Sequence, residues 1–165
     1  MRMGELTLEK YNLLREAWFQ NSKNMADDDR PVDVLDYLLF QDGGTTWYEM
    51  PEHFTWLYVR NVTPGRSADF HALNLDGWNA VSDIRTYPFV LELMQDQGVH
   101  RLSMALPAPA VDVIEASKTL GFRVEGRMRE AAVMNGRYVD ALILGLVPEA
   151  RKRRRKRKKN AKPRS

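Results

Sequence analysis

The sequence predicts an α+β domain, and three observations carry that prediction. Apolar residues recur at helical spacing through the first 40 residues. Three aromatic-rich segments separated by proline and glycine turns follow, and the chain later presents two strand-like runs joined by Asn135-Gly136.

Taken in order, Thr7 can cap a helix running to about Phe19, with Leu8, Tyr11, Leu14 and Trp18 on one stripe and Leu13 and Ala17 widening it. Pro31 suits the first turn of a second helix through Val32, Leu35 and Leu38. Asp27, Asp28 and Asp29 lie near its positive end, and Asp42-Gly43-Gly44 stops it. Residues 45–50, 54–60 and 68–75 read as three antiparallel strands, punctuated by Pro51-Glu52-His53 and Thr63-Pro64-Gly65. Pro88 can open a helix carrying Phe89, Val90, Leu93 and Met94, ending at Gln97-Gly98, and residues 101–106 form a strand. After Pro107-Ala108-Pro109 a helix spans about 110–119, with Val111, Ile114 and Val113 inward.

In the last segment, Phe122, Val124, Gly126 and Met128 alternate with Arg123, Glu125, Arg127 and Arg129, which predicts a strand with one charged face. Asn135-Gly136 is a strong hairpin signal, because a type I′ turn needs positive φ at both central positions. Residues 138–146 return as a nearly continuous apolar run, the pattern of a central strand.

Charge is distributed unevenly. Of 25 Lys+Arg, eleven lie in residues 151–165, so residues 1–150 carry 14 cations against 22 acidic side chains, a net of −8. The pI of about 9.2 therefore averages an acidic body and a basic tail. Residues 1–149 are expected to form one domain and 150–165 a tail that is disordered or ordered by a partner. The absence of cysteine excludes disulfides and thiolate chemistry. His53, His71 and His100 lack metal-ligand spacing, so no metal is expected. No apolar stretch approaches membrane-span length, which favours a soluble protein of the cytoplasm with no membrane partner.

The C-terminal motifs Gly98-Val99-His100-Arg101, Leu120-Gly121-Phe122, Glu125-Gly126-Arg127, Arg129-Glu130, Asn135-Gly136 and Tyr138-Val139-Asp140 resemble the RimJ/RimL-like branch of the GNAT N-acetyltransferases. The resemblance implies the GNAT acyl-CoA N-acyltransferase fold, an α/β/α sandwich whose mixed, mostly antiparallel sheet has helices on both faces. It also implies acetyl-CoA held between two splayed parallel strands, with its pyrophosphate on a glycine-rich loop at a helix N-terminus.

Counting back from His100-Arg101, that loop falls on Trp78, Asn79, Ala80, Val81, Ser82 and Asp83. Trp78 replaces an Arg or Gln, Val81 replaces the central glycine, and Asp83 puts a carboxylate beside two phosphates. Such a loop is not expected to bind CoA, and Pro88 implies a later helix start. The Asn and Ser that open the following helix in the family fall on Ala110 and Val113, and the tyrosine that protonates the departing thiolate falls on Ser117, a poor general acid.

The remaining acid/base candidates are Asp69 and His71, which resemble a Glu-x-His pattern on the family's fourth strand, with Glu49 on an earlier one. Two apart on a strand, Asp69 and His71 share a face and can receive an amine proton; the alternative is a satisfied polar pair in a closed cleft. Trp47, Trp56, Tyr48, Tyr58 and Phe54 are expected to pack in the core or an interface, while Trp78 either plugs the cofactor slot or anchors a protein assembly partner.

Arg151, Lys152, Arg153, Arg154, Arg155, Lys156, Arg157, Lys158 and Lys159 are consecutive cations, joined by Lys162 and Arg164. Without interleaved aromatics they suit phosphate neutralisation rather than base stacking, so nucleic acid or an acidic protein surface is the expected partner. A solubilising tail and a nuclear-import signal are the other uses of such a run.

Together these readings lead to a GNAT-fold protein without cofactor that has lost catalysis and serves as a structural or adaptor component. The eroded loop resembles those of small acetyltransferase-like proteins of tailed bacteriophages, which adds the virion as a location. The alternative is an active N-acetyltransferase carrying acetyl from acetyl-CoA to a protein or small-molecule amine, with Asp69, His71 and Ser117 at its centre.

Overall fold

The computed structural model describes residues 2–50, 55–75 and 86–148. Helix α1 spans Leu8–Asn21, capped by the Thr7 side chain, which accepts from the Lys10 amide at 3.2 Å. Short 3₁₀ turns at Ser22–Asn24 and Asp27–Asp29 lead to α2, Val32–Phe40. Strands β1 (Thr46–Met50), β2 (Thr55–Thr63) and β3 (Ser67–Asn74) form an antiparallel meander. Then come α3 (Thr86–Asp96), β4 (Arg101–Pro107), α4 (Val111–Thr119), β5 (Arg123–Met134) and β6 (Arg137–Leu146).

The six strands make one mixed sheet in the order β1-β2-β3-β4-β6-β5, in which β3 and β4 are the parallel pair. Alternation along the strands sorts its two faces. Leu57, Val59, Phe70 and Ala72 pack with Val90, Leu93 and Met94 of α3, while Trp47, Trp56, Tyr58 and Leu73 pack with Leu14, Ala17 and Trp18 of α1 and Leu35 and Leu38 of α2. Helices therefore cover both faces, and the aromatic residues of β1 and β2 lie in the core as expected. Among the described residues no helix is long and apolar enough to cross a membrane.

Several expectations need correction. Leu8 is 76% exposed and Val111 58% exposed, since each is the first residue of its helix and lies beyond the surface its helix covers. Helix α3 begins two residues before Pro88, which sits in the first turn where its missing N–H costs nothing. Strand β5 forms as predicted, but its register shifts between Val124 and Gly126 and again between Met128 and Ala132, which interrupts the alternation behind the single charged face; at the edge of the sheet Val124 and Met128 are 45% and 39% exposed.

The motif residues near the C-terminus hold this edge in place. Arg101 of β4 pairs with Glu125 of β5 across β6, and only a glycine at 145 leaves room, because a Cβ there would meet both side chains at 2.6 Å. Beyond Met128 the strand bulges, with Glu130 at φ +49. The Asp140 carboxylate fastens this bulge by accepting from the Glu130 amide at 2.8 Å and from Arg127. Asn135 and Gly136 have φ +53 and +71, the turn their sequence predicts.

Candidate functional site

Strands β3 and β4 are paired only at their starts, in the register Ser67↔Arg101, Ala68↔Leu102 and Asp69↔Ser103. Beyond that point each keeps its outer partner: β3 continues along β2 to Asn74, and β4 continues along β6 to Pro107. Their inner edges separate, and a cleft of about 130 Å³ opens there. Its walls include Phe70, His71, Met104, Leu106 and Ser117, with Asn24 and Asp29 from the segment between α1 and α2.

His71 is central to this opening. It stands opposite Tyr58 in the β2–β3 register, and the two rings stack at 4.5 Å with an angle of 6°, while Trp47 lies 4.5 Å beyond on β1. Burial pushes the His71 imidazole down to about 4, against a smaller upward pull from Asp69. The ring is therefore neutral near pH 7. Among the described residues neither of its nitrogens is hydrogen-bonded.

The other candidates are placed differently. Asp69 shares the face of His71, but Asn61 Nδ2 donates to its Oδ2 at 2.7 Å. Glu49 stands opposite Trp56 on β1, and Lys10 of α1 pairs with it at 2.7 Å, which takes it out of the group. Ser117 does line the cleft, but its hydroxyl donates to the Val113 carbonyl at 2.7 Å within α4. Ala110 caps that helix with no side-chain hydrogen bond, and Val113 faces the cleft. The loop Trp78, Asn79, Ala80, Val81, Ser82 and Asp83, the aromatic Phe54, and the cations from Arg151 to Arg164 lie outside the described residues.

A second cavity, of about 470 Å³, adjoins the cleft and shares Ala26, Asp29, Ala105, Leu106 and Pro107 with it. It lies between the 3₁₀ turn Asp27–Asp29 and the β5 bulge, with Asp28, Asp29 and Glu130 among its lining. The Asp27 carboxylate accepts from the Asn135 and Gly136 amides at 2.9 Å each, which fixes the hairpin over this cavity and holds the carboxyl below the usual range. Asp29 is shifted upward by burial and by its neighbour Asp28. The sequence reading missed this acidic wall, as well as Asn24, Met104 and Leu106. The Tyr58–His71 stack had no usable signal either: the Thr63-Pro64-Gly65 turn sets Thr63 opposite Ser67, which would place Tyr58 opposite Ala72, and a bulge between Arg60 and Thr63 shifts the register by one so that Tyr58 meets His71.

No protein-family model matches the sequence, and no curated protein matches it. Solved structures do match the fold. The spermidine N-acetyltransferase of Vibrio cholerae in complex with CoA and spermine aligns at a TM-score of 0.63 and 14% identity, covering 87% of this chain and 93% of that one. A ribosomal-protein-alanine N-acetyltransferase of Brucella melitensis aligns at 0.62 and 15% identity, covering 88% and 98%. The protein smu.2055 of Streptococcus mutans UA159 aligns at 0.65 and 15% identity, covering 89% and 99%. At these identities the likeness is one of architecture, and it agrees with the separated parallel strands: the chain has the GNAT N-acetyltransferase fold.

Proposed function

We propose that the chain is an N-acyltransferase that takes an acyl-CoA donor and an amine acceptor at the split between β3 and β4. The observation that carries this reading is the neutral imidazole of His71, without a hydrogen-bond partner among the described residues, at the point where the two strands part. The inner edges of Phe70 to Asn74 and Met104 to Pro107 face the cleft without a ladder between them, and such edges suit an extended ligand that carries amide groups. The structure of the Vibrio cholerae acetyltransferase holds CoA, which supports a donor of this class.

Acyl-CoA supplies an activated thioester carbonyl when bound. His71 then serves the acceptor. It is a weak base, but an amine N–H becomes far more acidic once the nitrogen bonds to the acyl carbon, and a neutral imidazole can take that proton. Ser117 is not needed as an acid, because a thiol with a pKa of about 8.5 leaves readily as thiolate near neutrality. Ala110 and Val113 offer no side-chain hydrogen bonds, and the Trp78–Asp83 loop lacks the central glycine. The reading therefore assigns donor affinity mainly to the thioester and amide arm and little to the phosphates.

The test is thiol release from acetyl-CoA with a panel of primary amines. Amine-dependent release that falls with His71→Ala supports the reading, whereas release independent of amine, or none, contradicts it.

A second reading, catalysis lost and the fold kept as a structural or adaptor module, is favoured by one specific observation. The hydroxyl of Ser117, where the family resemblance places an acid, is committed to the Val113 carbonyl. In that reading the cationic run from Arg151 to Arg164 carries the function by binding nucleic acid or an acidic protein surface, as would suit a virion component. Neutralising that run should abolish salt-sensitive binding to duplex DNA and to RNA. Unchanged binding would remove the tail from the account.

A further inference from the structure

The Asn135-Gly136 dipeptide that turns the chain between β5 and β6 also carries a latent reaction. The amide nitrogen of the residue after an asparagine can attack the asparagine side-chain carbon, and glycine hinders that approach least because it has no Cβ. Both residues are exposed here, and their φ values of +53 and +71 belong to the tight hairpin turn. Whether the reaction runs therefore depends on what holds its two groups.

Each group has a partner in the segment between α1 and α2, 105 to 109 residues earlier in the chain. Arg30 Nη1 donates to Asn135 Oδ1 at 3.1 Å, which draws electrons from the side-chain carbon and suits the oxyanion that attack creates. The nucleophile is restrained instead. The Gly136 N–H donates to Asp27 Oδ2 at 2.9 Å, and the Asn135 N–H donates to Oδ1 of the same carboxylate at 2.9 Å. Deprotonation would leave the Gly136 nitrogen negative beside an anion, and turning it toward the side chain would break a charge-assisted hydrogen bond. Asp27 does not serve as a base for this step, because the Gly136 and Asn135 amides hold its carboxyl below the usual range.

We propose that Asn135 is a self-modification site: Asp27 keeps it dormant while the hairpin is docked, and undocking releases its conversion to aspartate and isoaspartate. In that step the Gly136 nitrogen gives up its proton and bonds to Asn135 Cγ, and the side-chain nitrogen leaves as ammonia, closing a succinimide. Water then opens the ring. Cleavage at the former main-chain carbonyl routes the backbone through the side chain and lengthens it by a methylene, for which a two-residue turn pairing Met134 with Arg137 has no place. The new carboxylate also confronts Asp27, so the modified hairpin loses its hold on the Asp27–Asp29 turn, from which Asp29 lines the cleft. This inference goes beyond the proposed acyl transfer and stands or falls separately from it, because the modification requires no ligand.

Peptide mapping by mass spectrometry, with isoaspartate identified by enzymatic methylation, follows the conversion in the full chain during incubation at neutral pH. The folded wild type should convert roughly tenfold or more slowly than the same chain in urea, and Asp27→Ala should raise the folded rate by about tenfold, the effect of losing a charge-assisted hydrogen bond. Asp27→Asn, which keeps a neutral acceptor and disturbs the fold less, should lie between the two. Leu102→Ala, which lowers stability at the joint of β3 and β4 without touching the hairpin, should leave the folded rate unchanged. A folded wild type that converts as fast as in urea, an Asp27→Ala rate at or below that of the wild type, or an equal acceleration in Leu102→Ala would each overturn the proposal.

Discussion

The parallel strands β3 and β4 behave differently along their length. At Ser67–Asp69 and Arg101–Ser103 they are laddered together, with Ala68 and Leu102 buried among Val90, Leu93 and Leu144 in an apolar core under α3. A few residues later the same strands part, and their inner edges carry His71, Met104 and Leu106 into a cleft on which Asn24 and Asp29 also converge. The joined part is laddered between the two strands and packed on an apolar core. The split part has open edges and a neutral base. The difference arises because the ladder stops early, so residues that stabilise the joint and residues at the candidate site in the split can be separated by substitution.

The largest expected effect concerns the split. His71→Ala should lower amine-dependent thiol release by about 10²- to 10⁴-fold, the usual contribution of a positioned base, with little loss of folding stability. Leu102→Ala should do the reverse: a fully buried side chain at the joint is removed, costing roughly 2–5 kcal/mol in denaturant unfolding, while folded protein keeps its ligand affinity.

Acidity sharpens the same contrast. His71 has a folded-state pKa lowered to about 4, below its unfolded value of about 6.5, so the unfolded chain binds the proton more readily between these values. Stability should therefore rise with pH from 4 to 6.5, by up to ~3 kcal/mol, and the slope should flatten in His71→Phe, measured by urea titration across that range.

Smaller effects follow for the donor. Trp78→Arg/Val81→Gly should tighten acetyl-CoA binding by about tenfold, ~1.4 kcal/mol, by restoring a cation and close backbone approach at the loop. Ser117→Ala should change thiol release by less than about threefold, since the hydroxyl is already bonded within α4; a loss comparable to that of His71→Ala would return it to the role of acid.

What the sequence revealed follows the range of the forces involved. The Thr7 cap and the Asn135-Gly136 turn were legible because each is decided within a few residues. The nearly continuous apolar run of β6 correctly implied a central strand, flanked by β4 and β5. The alternation of β5 announced a strand but not its two bulges, which depend on pairing with β6, nor its place at the edge of the sheet, which leaves Val124 and Met128 partly uncovered. Site residues were legible where register carried them. Asp69 and His71 share a face by strand period alone, but the ion pair that removes Glu49 needs a lysine from α1, and the acidic wall needs Asp27 joined to a hairpin 108 and 109 residues later. The point at which β3 and β4 part lies beside a bulge on the outer edge of β3, where the β2 register shifts between Arg60 and Thr63 and Asn61 has φ +50, and no local sequence pattern announces it.

The central claim, that the split between β3 and β4 is a working acyl-CoA site, is tested most directly by calorimetric titration of the full chain with acetyl-CoA and with CoA. The account predicts saturable binding of acetyl-CoA that is strengthened in Trp78→Arg/Val81→Gly. Absence of heat with either ligand, in the wild type and in the double variant alike, would contradict it and leave the cleft to a different occupant.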